Sequence, residues 1–157
     1  MRVRVGVQAV IMENHKILAI KKRDDDSGDA YYILPGGKQE FGETLEQAVC
    51  REVFEEAGIA VDVDELLFLR EYIGTNHENA ETDQHLHIVS PIFLCSIKPG
   101  NGLPFTPSNP DPDQIGIEWI PVHELVNRRF YPKELVPHLI AVAHGNKPSR
   151  CYVGDIN

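Results

Sequence analysis

Two segments decide how this chain is read: Gly37-Lys38-Gln39-Glu40-Phe41-Gly42-Glu43, and then Arg51-Glu52-Val53-Phe54-Glu55-Glu56-Ala57-Gly58-Ile59. A helix is expected to start near Thr44. Thr44 and Gln47 have the spacing of a capping box, in which hydroxyl and amide satisfy two orphan backbone donors reciprocally. Gly58 is placed to end the helix. A helix advances about 100° per residue, so Glu52, Glu55 and Glu56 share a face with Ala48 and Leu45 one and two turns earlier. Cys50, Val53, Phe54 and Ala57 fall on another arc and are expected to face the core. The helix is thus anchored on one side and presents three carboxylates on another.

Three carboxylates on a rigid helix suit a hard cation such as Mg²⁺, which takes oxygen ligands and keeps several waters. Such an ion binds phosphate oxygens and lowers the pKa of an attacking water. Gly36, Gly37 and Gly42 let backbone approach a metal or phosphate closely, and the nearby helix N-terminus favours negative groups. An acidic helix face alone is ordinary, because like charges at i,i+4 cost only about 0.2–0.5 kcal/mol.

The whole pattern is not ordinary. It reads G-x5-E-x7-R-E-U-x-E-E-x-G-U, with U aliphatic, and nine specified positions match. From average residue usage, a chance match in a chain this long has a probability on the order of 10⁻⁷. The stretch resembles the 23-residue box of the Nudix hydrolase family without a departure, and Leu34-Pro35-Gly36-Gly37 resembles its usual lead-in. The resemblance implies an α+β fold, an α/β/α sandwich with a mixed curved sheet between helices, over a single domain of residues 1–157. It implies Glu52, Glu55 and Glu56 as metal-binding and catalytic carboxylates, with the Gly37 carbonyl as a further ligand. It implies a structural role for Arg51 and Glu43, pairing to hold the loop against the helix, and for Gly58. The implied reaction is hydrolysis of a phosphoanhydride in a nucleoside diphosphate linked to another moiety, with Mg²⁺ or Mn²⁺. The general base is open among Glu55, Glu56, Asp111, Asp113 and Glu118. A nucleotide-binding module without catalysis is the competing reading, and the complete carboxylate set argues against it.

Outward from the box, Val3, Val5, Val7, Ala9 and Ile11 alternate with polar or small residues as in a half-buried strand. Lys16–Lys22 is a second strand, and a hairpin through Glu13-Asn14-His15 joins the two. Asp24–Asp29 reads as a solvated acidic turn. Ile59–Ile73 and Gln84–Ile97 are strand patterns, separated by a polar loop. Pro99–Gln114 holds five prolines and two glycines in 16 residues and cannot be regular structure. Ile115–Pro121 is a strand and Val122–Arg129 a short helix. A last helix carries Pro132 in its first turn and Leu135, Val136, Leu139, Ile140 and Ala143 on its apolar side. The tail from Asn146 has no period. Glu118-Trp119-Ile120-Pro121 with Glu124-Leu125 is similar to a late segment of many family members.

The net charge of −9 argues against long nucleic acid, whose binding depends on Lys and Arg neutralising phosphates. A small nucleotide-like ligand is compatible, because divalent cations can bridge it to carboxylates. Cys50, Cys95 and Cys151 form no metal or disulfide pattern and read as reduced thiols of a cytoplasmic protein. No apolar run is long enough for a membrane helix. A homodimer is the default assembly. Four residues are weaker candidates for substrate contact: Tyr32 and Phe41 beside the glycine loop, and His85 and His87, two apart on an expected strand. Core packing or plain surface exposure is the commoner use of each. The substrate itself is not readable: no proline lies between Ala60 and Ser90, where ADP-ribose-type members often carry one.

Overall fold

A computed structural model describes residues 2–100 and 106–157. The hairpin is present as β1 (Arg4–Glu13) and β2 (Lys16–Arg23). Its two-residue turn, Asn14-His15, has positive φ at both positions, the twist that two antiparallel strands need. There follow β3 (Ala30–Ile33), β4 (Gly36–Lys38), α1 (Leu45–Ala57), β5 (Val61–Ile73), α2 (Ala80–Asp83) and β6 (His87–Ile97). The chain ends with β7 (Gln114–Pro121), β8 (Phe130–Tyr131), α3 (Val136–Ala143) and β9 (Tyr152–Asp155). Among the described residues these strands form one mixed sheet in the order β8-β3-β2-β1-β6-β5-β9, with β4 on β1 and β7 on β2. β1 with β6, β3 with β8 and β5 with β9 run parallel.

Two cores flank the sheet. On one face Ala48, Val49, Val53 and Ala57 of α1 pack on Val7, Ala9, Ile11, Phe93 and Cys95. On the other, Leu135, Val136 and Leu139 pack with Val10, Phe68 and Ile92. Fully burying a side chain of this size is worth roughly 1.5–3 kcal/mol, so each helix is fixed by a handful of contacts. The α+β sandwich is the expected one.

Several elements differ from the sequence pattern. The tail forms β9 on the edge of β5, a strand too short to carry a period. Gly36–Lys38 forms β4 because Gly36, Gly37 and Lys38 pair with Gln8, Val7 and Gly6. The polar loop after β5 holds a 3₁₀ turn (Gly74–Asn76) and α2. Val122–Asn127 is 3₁₀ rather than α, and Pro132 precedes a 3₁₀ turn (Lys133–Leu135), with α3 starting only at Val136. Phe54 does not face the core and is 49% exposed, while Val49 takes the buried position. The expected loop Pro99–Gln114 includes residues 101–105, outside the described residues.

Candidate active site

α1 begins with the expected capping box: Gln47 N–H donates to Thr44 Oγ1 (3.2 Å) and Thr44 N–H to Gln47 Oε1 (2.8 Å). Its three glutamates stand in three different environments. Glu56 is not on a solvated face; it is 1% exposed. Its Oε2 accepts the Gly36 N–H (2.8 Å) and its Oε1 has no partner. Burial pushes its carboxyl up to about 8. Glu52 lies flat against Gly37, where a Cβ would sit 2.5 Å from its carboxylate, so only glycine allows the contact. Burial raises its pKa too, against the lowering effect of Arg51. Glu55 is partly exposed at the rim.

Arg51 and Glu43 pair as the resemblance implies. Arg51 Nη2 donates to Glu43 Oε1 (2.7 Å) and Nε to Oε2 (3.1 Å), a two-pronged contact that carries direction as well as charge. Arg51 also reaches the Lys38 carbonyl (3.0 Å), Glu52 (2.9 Å) and Glu55 (3.2 Å). One guanidinium therefore holds the loop to the helix and neutralises two of the three glutamates. No three His, Cys, Asp or Glu side chains among the described residues converge as a ready-made cation site. The donor set still fits a hard cation. All three groups are carboxylates, and Glu56 keeps a buried oxygen with nothing bound to it. Holding an ion requires Glu52 and Glu55 to exchange Arg51 for the metal.

The loop before β7 closes the end of α1. Asn109 N–H donates to the Glu55 carbonyl (2.9 Å), Ser108 Oγ to that of Phe54 (3.3 Å) and Gln114 Nε2 to that of Glu56 (2.7 Å). The Glu55 and Glu56 carbonyls are among those a helix end leaves without partners; that of Phe54 also accepts the Gly58 N–H. Gly58 sits at φ 68° and donates its own N–H to Phe54, and a Cβ there would lie 2.1 Å from the Thr106 carbonyl. Gly58 thus ends the helix and admits the loop. So anchored, the loop brings Asp111 close enough for its charge to act on Glu52 and Glu56. Buried Lys22 bridges Asp111 (2.7 Å) and Asp113 (3.1 Å), and Tyr31 donates to Asp113 (3.3 Å). Glu118 is tied instead to Arg128 (3.2 Å).

The register of the sheet builds a cleft on the face opposite α1, reached from the glycine loop at Gly36 and Gly37. Gly6 and Gln8 on β1, Ile88 and Ser90 on β6, and Arg70 and Tyr72 on β5 share the face that α3 covers only further along. Two adjoining cavities of about 440 and 250 Å³ result, both lined by Gln8, Ile33, Arg70 and Ile88. The smaller opens on Gly36 and Gly37; the larger runs to Tyr31, Asp113 and Tyr131.

The weaker candidates scatter. Tyr32 is 7% exposed and lies under Arg128, with the guanidinium 5.6 Å from its ring centre. Phe41 is fully exposed at the loop tip, and His85 lies before β6 rather than on it; both border a separate open hollow with Arg2, Arg4 and Lys38. His87 pairs with Glu71 (2.7 Å). The two histidines therefore form no joint site. Sequence reasoning missed Arg70 and Gln8 because a single polar residue on a strand reads as solvent-facing. It missed Lys22 because that lysine ends a strand.

The NUDIX domain profile matches residues 2–139. The chain is 33% identical over 93 residues to an ADP-ribose pyrophosphatase of Methanocaldococcus jannaschii, covering 59% of this chain and 50% of that protein. It is 34% identical over 119 residues to a MutT-like protein of Streptomyces ambofaciens, covering 76% and 64%. The chain thus spans about half to two thirds of the length of these relatives. Among solved structures, a NUDIX hydrolase of Nitrosomonas europaea superposes with a TM-score of 0.70 at 21% identity over 93% of this chain and 92% of its own. A MutT NUDIX hydrolase of Burkholderia pseudomallei does so with 0.66 at 28% identity over 88% and 98%. A profile spanning most of the chain, with its box residues gathered where α1 meets β4, establishes that the chain belongs to the Nudix hydrolase family.

Proposed function

We propose that the protein is a metal-dependent pyrophosphohydrolase that cleaves a phosphoanhydride in a nucleoside diphosphate linked to another moiety. The observation that carries this reading is Glu56: a carboxylate at 1% exposure, with one oxygen on Gly36 N–H and the other without a partner, beside a cleft of nucleotide size. A buried carboxylate half satisfied is costly, and a divalent cation is the partner that relieves it. Glu52, Glu55 and Glu56 would hold that ion, Mg²⁺ or Mn²⁺. When bound, the ion supplies charge to phosphate oxygens and acidifies an attacking water. The chain's own groups do the rest. Arg51 fixes the loop through Glu43 and Lys38 and orients Glu52 and Glu55 through contacts of 2.9 and 3.2 Å. Gly36 N–H orients Glu56. Asp111, on a loop fastened to the end of α1, is the proton acceptor best placed outside the helix, and Lys22 holds its carboxylate through a 2.7 Å contact.

The substrate is nucleotide-like and small. No helix among the described residues is long and apolar enough to cross a membrane, and we place the protein in the cytoplasm on its three unpaired cysteines. The test is a panel of nucleotide anhydrides incubated with Mg²⁺, beside Glu56→Gln and EDTA controls, with phosphate products measured. Metal-dependent turnover lost in the variant supports the hydrolase. Nucleotide binding with no turnover on any substrate points to a non-catalytic binding module.

A further inference from the structure

Arg70 is a half-buried cation whose Nε is itself buried, and among the described residues no counter-ion pairs with it. Nη1 donates to the Ile156 carbonyl (2.9 Å), Nε finds no acceptor, and among the described residues no carboxylate lies within 4.0 Å of the guanidinium. The two carboxylates whose charge acts on it are engaged elsewhere: Asp155 takes His77 Nε2 (2.7 Å), Asn76 Nδ2 (2.7 Å) and Ile73 N–H (2.9 Å), and Glu134 takes the Asn157 N–H (3.1 Å). Burial lowers the Arg70 pKa to about 10. Buried charges are normally paired, and an arginine has five donors in a fork that matches phosphate oxygens. Arg70 lines both cavities of the cleft. Near it on the same floor are Gln8, whose Oε1 also lacks a partner, and buried Ser90, its cross-strand partner.

We propose that Arg70 is the anion anchor of the cleft and binds a phosphoryl group of the substrate on the floor of the sheet, apart from the carboxylates of α1. The inference rests on the hydrolase reading for the identity of the ligand but not for its own test. The guanidinium and the metal-bound helix would then grip the diphosphate from two sides. Gln8 Oε1, an acceptor, is left to read an N–H or O–H donor of the attached moiety.

The probe is inorganic pyrophosphate in EDTA, titrated by calorimetry and by melting temperature into the wild type, Arg70→Met, Arg70→Lys and Glu56→Gln. The wild type and Glu56→Gln should bind and be stabilised alike. Arg70→Met should bind at least tenfold more weakly and lose the ligand-dependent rise in Tm. Its ligand-free Tm should equal or exceed that of the wild type, because an unpaired charge with a buried, unsatisfied Nε has gone. Arg70→Lys, which keeps the charge and loses the fork, should fall between, and carries the test if Arg70→Met does not fold. Pyrophosphate binding within twofold of wild type in the variants, no binding by the wild type, or a lower ligand-free Tm with binding intact would each overturn the proposal. Arg70-dependent pyrophosphate binding in a protein that turns over no anhydride would fail the hydrolase reading and leave this one standing.

Discussion

Glu56 on α1 and Arg70 on β5 are charged groups of opposite sign, the first buried and the second half-buried, each with one backbone partner, Gly36 N–H and the Ile156 carbonyl. Each keeps one polar atom unsatisfied, and burial moves each toward its neutral form, Glu56 up to about 8 and Arg70 down to about 10. The groups around them differ. Glu56 has Asp111 and Glu52 nearby, which add to the cost of its charge, against the easing effect of Lys22. Arg70 has Tyr72, Asp155 and Glu134 nearby, which ease its charge without pairing with it. The acid end thus demands a cation strongly, and the basic end accepts an anion. A metal-bound diphosphate carries both.

The largest effect that could break this comparison is at the acid end. Glu56→Gln should lower turnover about 10³-fold, close to 4 kcal/mol of barrier. A loss under tenfold on the best substrate would remove Glu56 from the chemistry. The same carboxyl should shape stability. Its folded pKa lies above its ordinary 4.5, so its favourable contribution is complete below about pH 4.5 and is lost as pH rises through about 8. Without metal, the unfolding free energy of the wild type, from denaturant melts, should therefore fall from pH 5 to pH 9 relative to that of Glu56→Gln, by an amount on the order of a few kcal/mol. Saturating Mg²⁺ should flatten the curve. A wild type and variant that track each other across this range would contradict the burial argument.

Arg51→Lys separates the two ends further. It leaves a charge but loses the fork to Glu43, so the loop loosens and stability should drop about 1–3 kcal/mol in a denaturant melt, with pyrophosphate binding at Arg70 unchanged. Thr44→Ala, the smallest change, removes one cap and should cost about 1 kcal/mol. Its turnover should stay within a few fold, since the glutamates lie two turns beyond.

The acid end was legible in sequence and the basic end was not. Thr44, Gln47, Gly58 and the Glu43–Arg51 spacing each have a local cause, so the helix, its ends and its clamp could be read. The depth of Glu56 could not, because a helix face looks the same whether loop or water covers it. Along β5, the alternation of Val61, Val63, Leu67 and Leu69 points Arg70 outward. Irregularities between Val63 and Glu65 and between Leu66 and Phe68 reset the phase and turn Phe68, Arg70 and Tyr72 to the same face. Residues 152–155 gave no signal because their order comes from a partner strand about 80 positions earlier.

That last pairing has a consequence for the order in which a growing chain becomes competent. Glu56 finds its partner 20 residues back, Arg70 only 86 residues ahead. Synthesis proceeds from the N-terminus, so a ribosome-bound chain can complete its metal-holding helix long before its anion anchor is seated. The Ile156 carbonyl also lies beyond the segment that the NUDIX profile matches. A nascent chain would order the surroundings of Glu56 before those of Arg70, and the pairing of residues 152–155 with β5 would mark the moment when both are in place.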